Sequence, residues 1–494
     1  MRERVLRHRV DGWLDAEAVF TALYAGDARA FWLDSGIAAI TGMSYLGSAT
    51  VAATADATRG TVTVTPGGRV EVVPMLEFLG RAPRLPVGEV GGALGWVGWF
   101  GYGMRRQTMA GHPGGEADGP GGGPGGVPVA RAGNAEATQP DAAFLWVDRL
   151  VAIDHARGTV ELCALAAEWT LELVAWRDDT VARLDAVRQA ASTGLMPVGE
   201  PAPAPTAPAA APVATATWHD TDEGYLASIA ACQRAIRDGE AYQLCLTTEV
   251  TVTPAAGSHP DPVASYLALR RESPTHHGGM LRIDDVTLLS ASPETFLTVS
   301  RDGVVETRPI KGTRPRGDTP HRDTELRAEL AGDDKERAEN LMIVDLMRND
   351  LGRVAELGSV TVPQLLAVET YAQVHQLVST VRARLAPGLR AMDAVAACFP
   401  AGSMTGAPKL RATEIVAELE GRERGLYAGA FGYLGADGSA DLAMTIRSIV
   451  IDARGITVGA GGGITALSVP ALELAEVKLK AGALLRVLGV AGER

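Results

Sequence analysis

Cysteine is scarce in this sequence: the 494 residues contain only Cys163, Cys232, Cys245 and Cys398, and no two of them form a C-x-x-C pair. This scarcity argues against a disulfide framework and suits reduced, buried thiols in a cytosolic protein. The sequence also lacks any run of 18 apolar residues, and no apolar segment follows the charged start at residues 1–4. We therefore expect no membrane span and no secretory signal, and we expect a cytoplasmic protein.

Positive charge is in deficit as well, because 46 lysines and arginines stand against 59 aspartates and glutamates, a formal net charge of −13. Such a balance gives no general attraction for nucleic acid or for an anionic membrane surface, so we expect neither as a partner. An anionic small molecule would have to be bound by cations placed locally in a site.

Hydrophobic residues make up 46% of the chain, enough for one very large core or two moderate ones. A stretch rich in glycine and proline at 111–138 predicts a disordered insertion in an N-terminal region, 1–197. A Pro/Ala-rich linker at 198–217 then separates this region from a second one at 218–489. Strand-like runs with short turns and separate blocks of helices predict an α+β fold with a large antiparallel β-sheet system, β-sandwich-like and flanked by helices.

One lysine stands alone in the segment E-T-R-P-I-K-G-T-R-P at residues 306–315. The preceding residues predict a strand that Pro309 ends, and Gly312 permits a turn that brings another group close to Lys311. A lysine placed there can be held in a site, although a surface lysine in a polar turn is commoner for a K-G-T tripeptide.

Two predicted helices each carry Glu-x-x-Glu: Glu336 with Glu339, and Glu473 with Glu476. At this spacing both carboxylates of a pair share one face of the helix. Oxygen ligands from two helices would suit Mg²⁺. Taken alone, each pair is also typical of a solvated acidic face with lysines nearby.

Four other features could bind or protonate an anionic substrate. The G-A-G-G-G segment at 459–463 is interpreted either as a loop whose N–H groups form an anion nest or as a flexible turn. Pro408 is predicted in the first turn of a helix, where free N–H groups favour a carboxylate. Arg447 is predicted in an apolar strand, where a guanidinium normally has a carboxylate partner. Burial would raise the pKa of Glu294, although a carboxylate at a turn is usually solvated.

Six motifs occur in order within 218–489, namely S-P-E, P-I-K-G-T, K-E-R-A-E-N-L-M-I-V-D-L-M-R-N-D-L, G-S-M-T-G-A-P-K, G-A-G-G-G and E-L-A-E-V-K-L-K. Together they resemble the chorismate-utilising enzymes, and this implies an anthranilate synthase component I-like fold. The N-terminal region resembles the same family more weakly, through Leu33-Asp34-Ser35 and the glycine-aromatic run at 91–103. Within the family, P-I-K-G-T is similar to the aminodeoxychorismate synthase component I branch, whereas anthranilate synthases usually have alanine in place of Lys311.

The resemblance implies a reaction and a cofactor. Lys311 would attack C2 of chorismate and Glu294 would protonate the departing C4 hydroxyl. Ammonia would then enter at C4 to give 4-amino-4-deoxychorismate, the precursor of p-aminobenzoate in folate synthesis. Mg²⁺ would be bound by Glu339 and Glu476, with Glu336 and Glu473 beside them.

The resemblance also implies substrate-binding positions and a partner. Gln243 stands where the water-using members of the family typically carry a lysine base, which favours ammonia as the nucleophile. No segment resembles a glutaminase, so a separate glutamine amidotransferase subunit is the implied ammonia source. The positions expected to contact chorismate are Gln243, Gly312, Thr313, Thr405, Tyr427, Arg447, Gly461, Gly462, Gly463 and Lys480.

Two departures from the family pattern concern histidines. Where members often read V-x-H-L-V-S, His375 comes one position earlier, on the opposite face of a strand, which argues against a catalytic role. The family's N-P-x-P-aromatic segment is S-P-T-H-H here, which weakens any claim for a tryptophan pocket beside Ser35. The adjacent His276 and His277 lack further ligands at a spacing that would suit a metal.

The alternatives to amination at C4 are anthranilate synthase component I activity and a non-catalytic, chorismate-binding regulatory subunit. The first would release pyruvate, and the second would give no turnover. If Lys311 is the nucleophile it must lose a proton, because a lysine with a pKa of about 10.4 is only ~0.04% free amine at pH 7. We expect burial, Arg308, Arg314 and Mg²⁺ to lower that pKa and the carboxylates of the substrate to oppose them, and the sequence does not determine the balance.

Overall fold

The computed structural model describes residues 3–37, 39–86, 89–109, 139–192, 214–255, 260–371 and 374–490. The predicted insertion at 111–138 lies outside the described residues, as does the predicted linker up to residue 213. The described helices are α1 (Ala16–Leu23), α2 (Met75–Gly80), α3 (Arg105–Thr108), α4 (Leu171–Ser192), α5 (Asp222–Arg237), α6 (Pro262–Glu272), α7 (Pro320–Gly332), α8 (Asp334–Gly352), α9 (Ala391–Cys398), α10 (Lys409–Glu420) and α11 (Pro470–Val487).

The strands divide between the two predicted regions. Those before residue 200 are β1 (Arg4–Val10), β2 (Arg29–Asp34), β3 (Met43–Ser48), β4 (Val51–Asp56), β5 (Thr61–Thr65), β6 (Arg69–Val72), β7 (Gly95–Phe100), β8 (Ala142–Val147), β9 (Arg149–Asp154) and β10 (Thr159–Ala166). Those after it are β11 (Thr215–Trp218), β12 (Gln243–Thr253), β13 (His277–Ile283), β14 (Val286–Ser292), β15 (Thr295–Val299), β16 (Val304–Thr307), β17 (Ile310–Pro315), β18 (Thr361–Thr370), β19 (Val374–Arg384), β20 (Gly406–Ala407), β21 (Ala430–Gly435), β22 (Ala440–Met444), β23 (Ser448–Asp452) and β24 (Gly455–Ile464).

These strands form two 12-stranded antiparallel sheets. The first sheet runs β1-β10-β9-β3-β2-β13-β14-β23-β24-β12-β11, with β20 beside β12. The second runs β17-β19-β16-β15-β22-β21-β7-β8-β4-β5-β6, with β18 beside β19. Both sheets take strands from both predicted regions, since β2 pairs with β13 and β7 pairs with β21. The two regions therefore share one architecture.

Apolar side chains on the two faces of each sheet build a layered core. In β2, Phe31 points into a cluster shared by both sheets, whereas its neighbour Trp32 points into a cluster with α1, α5, α6 and α11. In β8, Leu145 joins the shared cluster and Phe144 packs on the side of α2, α8 and α9. This alternation is that of strands buried on both faces. It gives a β-sandwich covered by helices on both sides, so the predicted α+β fold with its large antiparallel sheet system is confirmed.

Several local predictions can be compared with the structure. Pro66-Gly67-Gly68 forms the turn that joins β5 to β6. The N-cap of α5 is Thr221, whose Oγ1 accepts from the Gly224 N–H at 3.1 Å. Strand β11 begins at Thr215, inside the segment predicted as a linker. Of the helices in the described ranges, none has the length and apolar character needed to cross a membrane.

Candidate active site

Lys311 lies within a strand and not in the turn that was predicted. Strand β17 pairs with β19 through Ile310 opposite Val378 and Thr313 opposite Gln376, with an irregularity between the two pairs. Gly312 adopts φ +80° at this bulge, which is why glycine is needed there. The bulge places Lys311 Nζ 3.9 Å from Glu339 Oε2 on α8, with only 15% of the lysine side chain exposed.

The charges around Lys311 do not lower its pKa as expected. Burial lowers the pKa, but Glu339, Glu294 and Glu336 outweigh burial, so the pKa lies above the ordinary lysine value. The two arginines that were expected to help are paired elsewhere, because Arg308 binds Glu369 at 2.5 Å and Arg314 binds Glu329 at 2.9 Å. In the protein without Mg²⁺ and substrate, burial and these arginines therefore do not bring the Lys311 pKa below its ordinary value.

The Glu-x-x-Glu pair on α8 lies close to the Glu-x-x-Glu pair on α11. Glu339 and Glu473 are buried, and Lys335 Nζ lies between them, 2.9 Å from Glu473 Oε1 and 3.8 Å from Glu339 Oε1. Burial raises the pKa of Glu339, and Lys311 and Lys335 oppose that rise. Lys335 is thus more than a surface ion-pair partner of its own helix, since its ammonium joins the two acidic helices.

The outer carboxylates of the two pairs are also paired. Burial raises the pKa of Glu336, with Asp333 adding to the rise. Burial acts to raise the pKa of Glu476, but Lys480, at 2.7 Å, has the opposite and stronger effect. The pKa of Glu476 therefore lies below its ordinary value. Lys480 Nζ additionally donates to the Gly461 carbonyl oxygen at 3.0 Å, which ties α11 to β24.

These carboxylates fit a divalent cation by their chemistry. Within the described ranges, no three His, Cys, Asp or Glu side chains are already arranged as a metal site. However, the Lys335 ammonium shows that a cation is held between Glu339 and Glu473, where α8 and α11 approach. Hard oxygen donors on two facing helices are a suitable set for Mg²⁺. The magnesium site thus stays a prediction that the donor set supports.

Glu294 sits between β14 and β15 and is 8% exposed. Burial raises its pKa to about 6, although Lys311, a hydrogen bond from the Ser403 hydroxyl and Lys480 oppose the rise. The shift has the direction expected for a buried carboxyl at this turn. A carboxyl with this pKa can donate a proton near neutral pH.

The glycine segment 459–463 is part of strand β24 and not a loop. Gly461, Gly462 and Gly463 lie opposite Thr247, Leu246 and Cys245 in the ladder with β12, so the predicted anion nest is not formed. The glycines instead allow close approach. A β-carbon at Gly463 would lie 2.2 Å from Gln243 Nε2 and 3.5 Å from Lys311 Nζ.

Gln243 and Tyr427 occupy the space that these glycines leave. Gln243 is 1% exposed, and neither heteroatom of its amide finds a hydrogen-bond partner among the described residues. A β-carbon at Gly459 would lie 2.2 Å from the Tyr427 ring, and one at Gly462 would lie 3.6 Å from Glu473 Oε2. The strand thus brings Gln243, Tyr427, Lys311 and the acidic helices to one pocket.

Arg447 lies between β22 and β23 with φ +49°, and not in a strand as predicted. Burial lowers the pKa of its guanidinium, and Tyr427 and Glu476 oppose that shift. No carboxylate within the described part of the chain forms an ion pair with it, contrary to the commoner arrangement. A partly buried guanidinium with no carboxylate partner among the described residues is suited to a carboxylate ligand.

Three predicted contacts are less directly supported. The Thr405 hydroxyl is buried and donates to the carbonyl oxygens of Ala401 and Gly402 at 3.2 and 3.3 Å, so it serves the chain's own turn. Thr313 is exposed. Pro408 is the N-cap of α10 and not a residue of its first turn.

The histidines have structural partners. His375 is fully buried, and its ring contacts Thr370 Oγ1 and Asp323 Oδ1, each at 2.9 Å, which anchors α7 to β19. His277 pairs with Asp441 at 3.1 Å, and His276 stacks on Tyr371 with ring centroids 5.8 Å apart. These contacts agree with the interpretation that none of the three is a catalytic or metal-binding residue.

Sequence reasoning missed two side-chain contacts made by residues of one motif, the first of them to Glu294. Ser403 binds Glu294, and Lys409 binds Asp350 at 2.5 Å and so joins the start of α10 to α8. Both residues lie in the G-S-M-T-G-A-P-K motif. The family resemblance identified this segment but did not indicate the contacts of these two residues. Asp350 lies in the M-R-N-D-L motif, so the two motifs meet in one ion pair.

Comparison with known proteins places this site in a family. A family described as chorismate binding enzyme matches residues 126–486. Aminodeoxychorismate synthases from Streptomyces griseus and Streptomyces pristinaespiralis are 40% and 39% identical over 99% and 96% of this chain. The chain spans 65% and 64% of the lengths of these two relatives.

Two further relatives are anthranilate synthase components. Anthranilate synthase component 1 of Mycobacterium bovis is 40% identical over 71% of this chain and 68% of its own. The crystal structure of anthranilate synthase component I from Streptococcus pneumoniae has a TM-score of 0.69 and 27% identity, and the match covers 91% of this chain and 93% of that one. The predicted anthranilate synthase component I-like fold is confirmed, and the chain belongs to the chorismate binding enzyme family.

Proposed function

We propose that this chain aminates chorismate at C4 and releases 4-amino-4-deoxychorismate, as the name aminodeoxychorismate synthase implies for its relatives. The observation that carries the proposal is the placement of Lys311, held at a strand bulge 3.9 Å from Glu339 and beside Gly463. A lysine in this position can form a covalent bond to a ring carbon. The Streptomyces relatives at 40% and 39% identity support the same assignment.

The chemistry divides between two side chains. The Lys311 amine adds to C2 of chorismate, the ring double bonds shift, and the C4 hydroxyl leaves as water with a proton from Glu294. Ammonia then adds at C4, the double bonds shift back, and the lysine amine leaves C2. Glu294 suits the acid role because burial raises its pKa to about 6.

The pocket can hold a dianionic substrate although the protein is acidic overall. Arg447 is partly buried and has no ion pair in the part of the chain that the structure describes, so its guanidinium is available for one carboxylate. The buried amide of Gln243 is also unpartnered there. Mg²⁺, held by Glu339 and Glu476 with Glu336 and Glu473 nearby, would bind a second substrate carboxylate and would neutralise the charge that raises the Lys311 pKa.

The test is a product assay on the purified chain with chorismate, ammonium and Mg²⁺, with and without an aminodeoxychorismate lyase. We expect p-aminobenzoate and pyruvate only when the lyase is added. Anthranilate and pyruvate without the lyase would instead establish anthranilate synthase activity, which the 40% identity to the Mycobacterium bovis protein favours as the second candidate. Absence of turnover under both conditions would refute both.

A glutamine amidotransferase subunit is the proposed source of ammonia. No segment of the chain resembles a glutaminase with a nucleophilic cysteine, and the four cysteines are buried. We therefore expect ammonium but not glutamine to support turnover by the purified chain. Efficient turnover with glutamine alone would contradict this proposal.

A further inference from the structure

Glu420 and Arg424 form a buried ion pair among residues that have no role in the chemistry above. Arg424 is 2% exposed and Glu420 5% exposed. Arg424 Nε donates to Glu420 Oε2 at 2.8 Å, and its Nη2 donates to Oε1 at 2.7 Å. This two-bond geometry holds the guanidinium in one orientation.

The remaining hydrogen bonds of the pair go to two backbone segments. Arg424 Nη1 donates to the Met404 carbonyl oxygen at 2.7 Å, and Nη2 donates to the Cys245 carbonyl oxygen at 2.8 Å. Glu420 Oε1 accepts from the Thr247 N–H at 2.8 Å and from the Thr247 hydroxyl at 2.9 Å. The pair therefore binds main-chain groups of β12 and of the turn that contains Met404.

The first segment is the part of β12 that has no neighbouring strand on one edge within the described residues. On one edge, β12 pairs with β24, where Cys245 and Thr247 lie opposite Gly463 and Gly461. On its other edge, among the described strands, β12 pairs with β20 at Gln243–Leu244 and with β11 only from Val250. The ion pair fills the interval between these strands and satisfies backbone groups that a neighbouring strand would otherwise bind.

The second segment is the turn that carries Ser403. Met404, whose carbonyl oxygen Arg424 binds, directly follows Ser403, whose hydroxyl binds Glu294. The next residue, Thr405, accepts the Cys245 N–H at 2.9 Å. One guanidinium thus links the turn beside the acid to the strand that faces the glycines.

We propose that Glu420 and Arg424 are positioning residues for the chorismate site, which together set the place of the Ser403 turn beside Glu294 and of β12 beside Gly461–Gly463. The proposal rests on the function proposed above. A pair of buried charges is costly to desolvate, so burial of the pair is by itself weak evidence that it serves stability. Here its hydrogen bonds end on the two segments that border the pocket, which gives it a role in function.

A second buried pair in the chain provides a matched control. Arg270 Nε lies 2.6 Å from Asp34 Oδ2, and 4% and 1% of the two side chains are exposed. Each guanidinium also packs over an aromatic ring, Arg270 at 4.9 Å from Trp32 and Arg424 at 4.4 Å from Tyr102. The control pair bonds neither β12 nor the Ser403 turn.

The experiment compares Arg424→Lys with Arg270→Lys in the full chain. Lysine keeps the charge but cannot reproduce the fork that joins a carboxylate to two carbonyl oxygens. Both variants should have a lower melting temperature. We expect Arg424→Lys to lower kcat for chorismate with ammonium by at least tenfold. It should also shift the limb of the pH–kcat profile that we assign to ionisation of Glu294, a carboxyl that Lys311 and Lys480 also face. Arg270→Lys should keep kcat within twofold and leave that limb in place.

The result that would overturn the proposal is an Arg424→Lys enzyme with unchanged kcat and pH profile. If Arg424→Lys does not fold, Glu420→Gln serves instead, because the glutamine oxygen can still accept from Thr247 while the charge is lost. Unchanged kcat and pH profile in Glu420→Gln would overturn the proposal equally. The wild-type assay separates the two hypotheses, since an inactive wild type would refute the proposed function and an active one leaves only the positioning role in question.

Discussion

Replacement of Glu294 by glutamine should remove activity and yet stabilise the protein above neutral pH. The folded-state pKa of this carboxyl is raised from 4.5 to about 6 by burial. The folded protein therefore binds more protons than the unfolded chain between these values, so its stability falls as pH rises from 4.5 through 6. The destabilisation caused by ionisation is about 2 kcal/mol once pH exceeds 7, and about 0.8 kcal/mol at pH 5.

Urea denaturation of the wild type and of Glu294→Gln at pH 7.5 and pH 5 measures this difference. The glutamine retains a carbonyl oxygen for the Ser403 hydroxyl, so the variant should be more stable by up to about 2 kcal/mol at pH 7.5, with a smaller gain at pH 5. Glu418→Gln, on the exposed face of α10, is the control and should show no such pH-dependent gain. The reasoning fails if Glu294→Gln gives the same stability difference at both pH values, or if it is less stable than wild type at pH 7.5.

Three further predictions test the pocket. Glu339→Gln and Glu476→Gln should each lower turnover at limiting Mg²⁺ by more than tenfold, because a hard cation loses a charged oxygen ligand, and wild-type activity in both would exclude the magnesium site. Lys311→Ala should lose most ammonia-dependent activity, and Lys311→Arg should do no better because a guanidinium stays protonated. Mass spectrometry of the wild type, quenched without ammonia, should show a chorismate adduct on Lys311. Turnover without an adduct would refute covalent catalysis. Gly463→Ala should lower kcat/KM for chorismate by at least tenfold, since its β-carbon would lie 2.2 Å from a buried amide and 3.5 Å from Lys311 Nζ, whereas Gly332→Ala, with open space at that position, should leave kcat/KM unchanged.

Resemblance and helical spacing located most of the candidate site. The i, i+3 spacing of Glu336 and Glu339 was enough to place both on one face of α8, because a helix maps sequence spacing onto one face. The motif containing Lys311 likewise marked a lysine that the structure places beside Glu339. Long-range placement, such as the approach of Gly463 to Gln243 and Lys311, could not be derived from local pattern.

The errors concern backbone geometry that depends on partners distant in sequence. The G-A-G-G-G segment has loop composition, yet its glycines are held in β24 by the ladder with β12, so tertiary pairing overrides local propensity. Lys311 follows the proline after β16, but the chain re-enters the sheet at once as β17. It does so because β19, which pairs with β16, also pairs with β17 through another part of its length. The effect of Arg308 and Arg314 on the Lys311 pKa was misjudged because these arginines are neighbours in sequence but pair with Glu369 and Glu329.

Three features that ordinarily destabilise a fold meet in the pocket of Lys311. Gln243 buries an amide that has no partner among the described residues. Arg447 has a left-handed backbone conformation, and its guanidinium forms no ion pair with the described residues. Glu294 is a buried carboxyl with a raised pKa. Such departures persist where a ligand completes them, because each isolated buried polar group costs free energy in the empty protein. A ligand that offers a carboxylate to Arg447, hydrogen-bonding groups to Gln243 and a proton acceptor to Glu294 would relieve all three, and chorismate has these groups on one small ring. By contrast, the buried carboxylate of Asp34 is satisfied by Gly36, Ser44 and Tyr266, so it leaves no polar group for a ligand to complete.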